Sequence, residues 1–421
     1  MEYFGINEEK LIKAYPKFNS DKDFYLDRIK TVVEGFKKTF SHKEPRIFSA
    51  PGRTEVGGNH TDHQHGCVLA AAVELDVLAA ALPNGTDYIN ILSEGYEMEK
   101  ININDLTVKA EEKNTSASII RGVAAAVAKK GCKIGGFDMY AIANVLKGSG
   151  LSSSAAYEVM LGVVMNSLFC NGEITPVEIA QMGQFAENIY FGKMSGLMDQ
   201  TASSVGSMVS IDFEDTQKPV VKKVDLDLGK YGYSLCIIDT GADHADLSDE
   251  YSAIPFEMKE VAKIFGKEYL RQVDEKEFFE NIDKVRKECG DRATLRAIHF
   301  FDDNKRAVLE AELIENGDFD KFLSTVTESG YSSFMYLQNV SVSGRIKNQE
   351  VALALAVCHK ALDGKGAFRV HGGGFAGTIQ AFVPNEILDE FKVTMEKAVG
   401  TGRCHVLSIR NAGGVELTEA M

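Results

Sequence analysis

The 421-residue chain has no run of about 18 apolar residues, the length a helix needs to cross a bilayer, so no membrane-spanning helix is expected. It has no C-x-x-C pair. Its seven cysteines (Cys67, Cys132, Cys170, Cys236, Cys289, Cys358 and Cys404) are odd in number and scattered. That argues against a disulfide framework or a thiolate zinc site and for a reducing cytosol. Positive charge is scarce: Lys+Arg number 46 against 61 Asp+Glu, a net charge of -15. Such a surface disfavours nonspecific binding to nucleic acid or anionic membrane, and neither is expected as a partner. It does not exclude phosphate ligands, which a local pocket of backbone N–H groups can hold on an acidic protein. The opening MEYFGINEEK lacks the basic and apolar regions of a signal peptide, so a cytoplasmic location is expected. There is no tandem repeat, no low-complexity tract and no Walker A G-x-x-x-x-G-K-[ST], and residues 147–159 do not read as the dinucleotide G-x-G-x-x-G.

What is present is enough apolar sequence, 44%, for two cores. Helical and strand patterns alternate, which predicts an α/β chain. Residues 5–40 read as helices with an apolar stripe (Leu11, Ile12, Tyr15, then Phe24, Ile29, Val32, Phe36, Phe40). RIFSAPGR reads as a strand, and CVLAAAVELDVLAAALP as two buried strands or a strand and a turn. YINILS and EKINI form a hairpin pattern, ASIIRGVAAAVAKKG a helix and FDMYAIANVL a strand. After about residue 205 the pattern restarts with three strands and four or five helices. The expected division is 1–205 and 206–421, although no Pro/Gly/Ser linker marks it.

Three Gly-rich segments stand out. KGSGLSSSAAYEV, residues 147–159, is a turn of small residues opening a long apolar helix. Small residues let the backbone approach a phosphate, and the helix N-terminus offers free N–H groups there. Ser152, Ser153 and Ser154 can cap the helix, bind phosphate oxygens or hold Mg²⁺; a purely structural Ser-rich cap fits the same letters. APGRTEVGGNHTDHQHGCVL, residues 50–69, is a polar loop between strands, the usual setting of a ligand-binding loop. Its His60, Asp62, His63 and His65 could also be read as a metal cluster, but no zinc-helix spacing supports that. RVHGGGFAGTIQAFV, residues 369–383, is a Gly-rich turn between two strands.

Together, in this order and spacing, the segments resemble the three motifs of the galactokinase, homoserine kinase, mevalonate kinase and phosphomevalonate kinase (GHMP) superfamily. The first is similar to the galactokinase pattern G-R-x-N-x-I-G-E-H-T-D-Y-N-x-G at Gly52, Arg53, Gly58, His60, Thr61, Asp62 and Gly66. The second matches G-x-G-L-S-S-S-A. The third resembles G-G-G-F-G-G, with Ala376 where the family usually has Gly. AENIYFGKMSGLMDQTAS and residues 317–341 also resemble galactokinase segments, so the likeness runs over roughly residues 45–410.

The resemblance implies an α/β (α+β) two-lobed GHMP kinase fold with the active site between the lobes, and transfer of the ATP γ-phosphate to O1 of a sugar. It makes Asp199 the proton acceptor and Arg53 the cation beside it. It sets ATP over Gly148, Ser149, Gly150, Leu151, Ser152, Ser153, Ser154 and Ala155, and Mg²⁺ on Ser154 and Glu187. It puts the sugar against Asn59, His60, Asp62, Gly196 and Tyr251. A carboxylate acceptor and a guanidinium beside it suit this chemistry, because a sugar hydroxyl is a weak nucleophile until its proton has a destination.

The departures concern the sugar. The pattern's Glu, implied to contact the C6 hydroxyl, is Asn59 here, and its Tyr and Asn are His63 and Gln64. The loop of plant galacturonate kinase, H-I-D-H-Q-G-G, also lacks that Glu. A carboxylate facing C6 would repel a uronate, and Asn59 would remove the repulsion. The expected substrate is thus galactose or a close relative, with galacturonate as the alternative and His63 or His65 available to pair with its carboxylate. A second alternative is a non-catalytic sugar and ATP sensor on the same fold; retention of Asp199, Arg53 and the Gly-Ser loop favours the enzyme.

Overall fold

The computed structural model describes residues 5–40, 43–145, 150–242 and 247–419. Within them the strands are β1 (Arg46–Gly57), β2 (Cys67–Pro83), β3 (Tyr88–Ser93), β4 (Glu99–Asn102), β5 (Phe137–Ala143), β6 (Met208–Asp212), β7 (Val220–Val224), β8 (Tyr233–Asp239), β9 (Ala367–Val370), β10 (Thr378–Pro384), β11 (Cys404–Leu407) and β12 (Val415–Glu416). The helices are α1 (Glu8–Ala14), α2 (Lys22–Thr39), α3 (Ser116–Lys129), α4 (Ser153–Phe169), α5 (Pro176–Phe185), α6 (Met198–Val205), α7 (Ser248–Ile264), α8 (Glu275–Glu280), α9 (Ile282–Glu315, broken at Gly290), α10 (Phe319–Ser332), α11 (Glu350–Leu362) and α12 (Leu388–Val399).

The Ala-rich run at 67–83 is one 17-residue strand, not a pair of strands. Its length lets two partners share one edge: Cys67–Ala71 pair with β6, and Val77–Pro83 with β5. Both faces are covered, so the run is apolar on both faces, apart from the buried Glu74 and Asp76, rather than alternating. Leu78 and Ala80 face Leu11, Tyr15, Ile29 and Val33 of α1, its C-cap and α2. Val77, Ala79 and Ala81 face the layer holding Ile120 and Val123 of α3 and Met160 of α4.

The first sheet runs β12-β1-β2-β5-β3-β4, with β6 and β7 appended to β2; the second runs β11-β8-β10-β9. On β8, Cys236 and Ile238 pack on α11 and α12, while Leu235 and Ile237 join the core that contains Phe322 and Val326 of α10. The first sheet runs past residue 205, the boundary expected from the sequence. The β6–β7 hairpin belongs to the first lobe because it completes the β2 edge, and the tail returns to the same lobe as β12. A correction concerns the cysteines. Cys132, just past α3, and Cys170, at the end of α4, are joined as a disulfide with Cα atoms 5.5 Å apart. The packing of α3 on α4 brings their C-terminal ends together, which a 38-residue separation in sequence does not reveal. No helix among the described residues is long and apolar enough to cross a membrane.

Candidate active site

The three Gly-rich segments meet at Gly150. A Cβ there would stand 3.0 Å from both His371 Nδ1 and Thr378 Oγ1 of the third segment, and its φ of +70° favours glycine. From the first segment, Arg53 N–H donates to Leu151 O at 3.0 Å, and its Nη1 donates to Gly150 O. Gly52 permits this approach, since a Cβ on it would stand 2.9 Å from Leu151 O. His371 is held in turn: Nε2 accepts from Glu55 N–H at 3.3 Å, and Nδ1 lies 2.8 Å from Thr378 Oγ1.

Asp199 stands in the first turn of α6, and its carboxylate is fixed from both sides. Oδ1 accepts from Arg53 Nε at 2.7 Å and lies 2.7 Å from Nη2; Oδ2 accepts from Ser152 Oγ at 2.7 Å. Ser152 precedes α4 in the left-handed region, φ 54°, so its hydroxyl turns to Asp199 instead of capping the helix. Burial alone would raise the Asp199 carboxyl, but the Arg53 charge and the two hydrogen-bonding partners outweigh it and hold the group below the usual carboxylate range. Asp199 remains 30% exposed against 8% for Arg53, so the carboxylate is the member a ligand can reach. Of the expected phosphate-loop residues, Gly148 and Ser149 lie outside the described residues. Leu151 and Ala155 are buried and can meet a phosphate only through backbone; Ser153 is half-buried and Ser154 exposed in the first turn of α4.

In the first segment, Asp62 Oδ2 lies directly against Gly196, where any Cβ would collide with it. Asp62 Oδ1 accepts from His63 N–H at 2.9 Å. His60 and Tyr251 reach the third segment: His60 Nε2 is 3.0 Å from Gly373 O, and Tyr251 Oη donates to Gly374 O at 2.7 Å. Burial pushes the His60 imidazole down to about 3, so the ring is neutral.

Asn59, expected at the sugar, is fully buried. Nδ2 donates to Glu55 Oε1 at 2.8 Å and Gly372 O at 2.7 Å; Oδ1 accepts from Asn339 Nδ2 at 2.8 Å and Ser333 Oγ at 3.1 Å. With these bonds made, the amide has no group to offer a sugar. Gln64 is likewise buried, between Pro255 O and Leu270 N–H, and His65 stacks on Tyr269 at 3.8 Å. No group of three or more His, Cys, Asp or Glu among the described residues could hold a metal ion.

Glu187 also departs from expectation. It is buried, and both oxygens are engaged: Oε1 by Lys193 Nζ at 2.9 Å, Oε2 by Gln200 Nε2 at 3.1 Å. As they stand, Glu187 and Ser154 do not form a magnesium site, because a buried carboxylate has taken the donors nearest to it. Gln200 also donates to Glu158 Oε2 at 2.9 Å, while Glu158 Oε1 and Gln200 Oε1 have no partner. Burial, then the Glu187 charge, pushes Glu158 well above the usual carboxylate range. Lys193, Glu158 and Gln200 were not legible in the sequence, since single polar residues on a helix or loop have no pattern of their own.

Residues 34–83 match the galactokinase galactose-binding signature, and residues 118–207 the N-terminal domain of GHMP kinases. The chain is similar to the GHMP kinases in these segments and in its fold. Its fold superposes on a Lactococcus lactis galactokinase complexed with galactose with a TM-score of 0.79 at 25% identity, covering 92% of this chain and 100% of that one. Methanococcus jannaschii mevalonate kinase gives 0.62 at 15% identity, over 88% and 100%. Streptococcus pneumoniae phosphomevalonate kinase in complex with phosphomevalonate and AMPPNP gives 0.59 at 12%, over 88% and 99%.

Against the galactokinase pattern for this loop, three departures of β1 and its turn converge on one buried network. Glu55 stands where the pattern has Asn, and Asn59 where it has Glu, and the two side chains bond each other. Gly57 stands where the pattern has Ile, and its missing side chain leaves room for the carboxylate of Glu310, which is buried with neither oxygen partnered. Glu55 is balanced by the buried Arg369, with Nη2 to Oε1 at 2.6 Å.

Proposed function

We propose that this protein is a sugar kinase that transfers the γ-phosphoryl group of ATP to the O1 hydroxyl of galactose or a closely related sugar. One observation carries this reading. Asp199 is a fixed, partly exposed carboxylate held by Arg53 and Ser152 at the point where the three Gly-rich segments meet. The N-terminus of α4 and the turn before it receive the phosphates, because the first N–H groups of a helix have no partners within it. Asp62 and Gly196 bound the sugar, and Asp199 takes the O1 proton as the oxygen attacks phosphorus. Arg53 keeps Asp199 ionised throughout.

Galacturonate is the second reading, and its support has shifted. The loop still lacks the family's carboxylate at position 59, and the carboxylate at position 55 is turned into the lobe interface and paired with Arg369. Neither residue would repel a uronate in the cleft. ATP consumption measured with galactose, galacturonate, glucuronate, N-acetylgalactosamine and arabinose separates the two readings. Turnover of none of them, by a folded protein that binds ATP, would favour the sensor instead.

A further inference from the structure

Lys193 follows Gly192, whose φ of 90° turns the chain out of the helical segment carrying Glu187. The lysine N–H returns to Glu187 O at 3.1 Å, and its ammonium to Glu187 Oε1 at 2.9 Å. The two ends of this pair differ: the Glu187 side chain is 5% exposed and that of Lys193 60%. The ammonium thus sits on the open side of a buried carboxylate, on a long stem free to re-aim. Asp199 and Glu158 also lie within its electrostatic reach.

Arg53 cannot easily serve the transferring phosphoryl group. Its Nε and Nη2 are spent on Asp199, and its Nη1 on Gly150 O. Phosphoryl transfer is catalysed by positioning and by positive charge on the equatorial oxygens. Of the two cations placed around Asp199, Lys193 is the one with a movable head. Resting on the kinase reading, we propose that Lys193 is a further catalytic residue, whose ammonium leaves Glu187 when ATP binds and moves onto the γ-phosphate. The bond from the γ-phosphorus to the β,γ-bridging oxygen then breaks, with its electrons leaving on ADP. The sugar oxygen bonds to phosphorus, its proton passes to Asp199, and Lys193 keeps its own protons throughout.

The γ-phosphate distinguishes ATP from ADP, so binding tests this apart from turnover. Affinities for ATP and ADP are measured by calorimetry in EDTA for wild type, Lys193→Ala and Lys193→Arg. A charge-assisted contact to the γ-phosphate predicts that wild type favours ATP. Lys193→Ala should lose ATP affinity by roughly 10- to 100-fold with ADP little changed, and Lys193→Arg should recover part of the preference. kcat should fall in Lys193→Ala. Equal weakening of both nucleotides, no weakening, or a wild type without preference for ATP would overturn the proposal. Should the alanine variant misfold, Lys193→Met keeps the apolar stem and answers the same question. A wild type that binds ATP but phosphorylates no sugar would defeat the kinase reading and leave the nucleotide comparison standing.

Discussion

Asp199 is held by a guanidinium on one oxygen and a hydroxyl on the other, which fixes what its loss should do. Asp199→Asn keeps the shape and removes the proton acceptor, so kcat should fall by roughly 10²-fold or more. Near-normal turnover by a folded variant would exclude Asp199 as the base. The sign of its pKa shift sets the pH profile. Because Arg53 depresses the carboxyl, Asp199 stays ionised until the pH falls below the ordinary carboxylate range. Activity should therefore show no acid limb from Asp199 between pH 6 and 8, and Ser152→Ala, which removes one hydrogen bond to the charged form, should move the limb upward. Asn59 makes the opposite kind of residue-scale prediction. Asn59→Glu places a second carboxylate beside Glu55 in a buried network, so it should destabilise the fold by roughly 3 kcal/mol or more. Thermal unfolding would show this. A variant as stable as wild type but with a changed sugar preference would return Asn59 to the cleft.

At the scale of elements, the turn before α4 depends on glycine for both conformation and space. Gly150→Val would need a positive φ that a β-branched residue avoids, and would press on His371 and Thr378. ATP affinity should fall by at least roughly tenfold, from a phosphate that can no longer approach and a third segment pushed away. Unchanged ATP binding would make the turn structural only. This element was legible in the sequence because its signal is local: small residues followed at once by an apolar helix. Arg53 and Asp199 were reached through the family pattern and are joined in the structure. The direction of Asn59 was not legible, since the partners that turn it inward, Ser333 and Asn339, lie more than 270 residues away. Nor was the single strand at 67–83, because a long apolar run interrupted only by Glu74 and Asp76 does not say where a strand ends. Lys193 was not legible either, since its partner Glu187 lies six residues back across a turn that Gly192 bends.

Across the whole molecule, the two lobes are joined by buried polar bonds as well as by apolar packing. Gln380 Nε2 donates to Thr54 Oγ1 at 2.6 Å and Glu55 O at 2.9 Å, and Arg369 pairs with Glu55. Arg369→Met would leave Glu55 buried without its counter-charge, at a cost of roughly 3–5 kcal/mol. Chemical denaturation should show that loss; a variant as stable as wild type would mean the pair contributes nothing beyond what packing supplies. The return of β12 to the first sheet has a consequence for biosynthesis. Arg46 Nε donates to Glu416 Oε1 at 2.6 Å across 370 residues, and Leu417 N–H donates to Ile47 O at 2.7 Å. On a ribosome adding about 5–20 residues per second, that separation is roughly 20–70 s of synthesis. During that interval β1 has an open edge able to pair with another nascent chain. The first lobe to emerge is thus among the last parts to be finished, and its exposure to aggregation is set by the speed of translation.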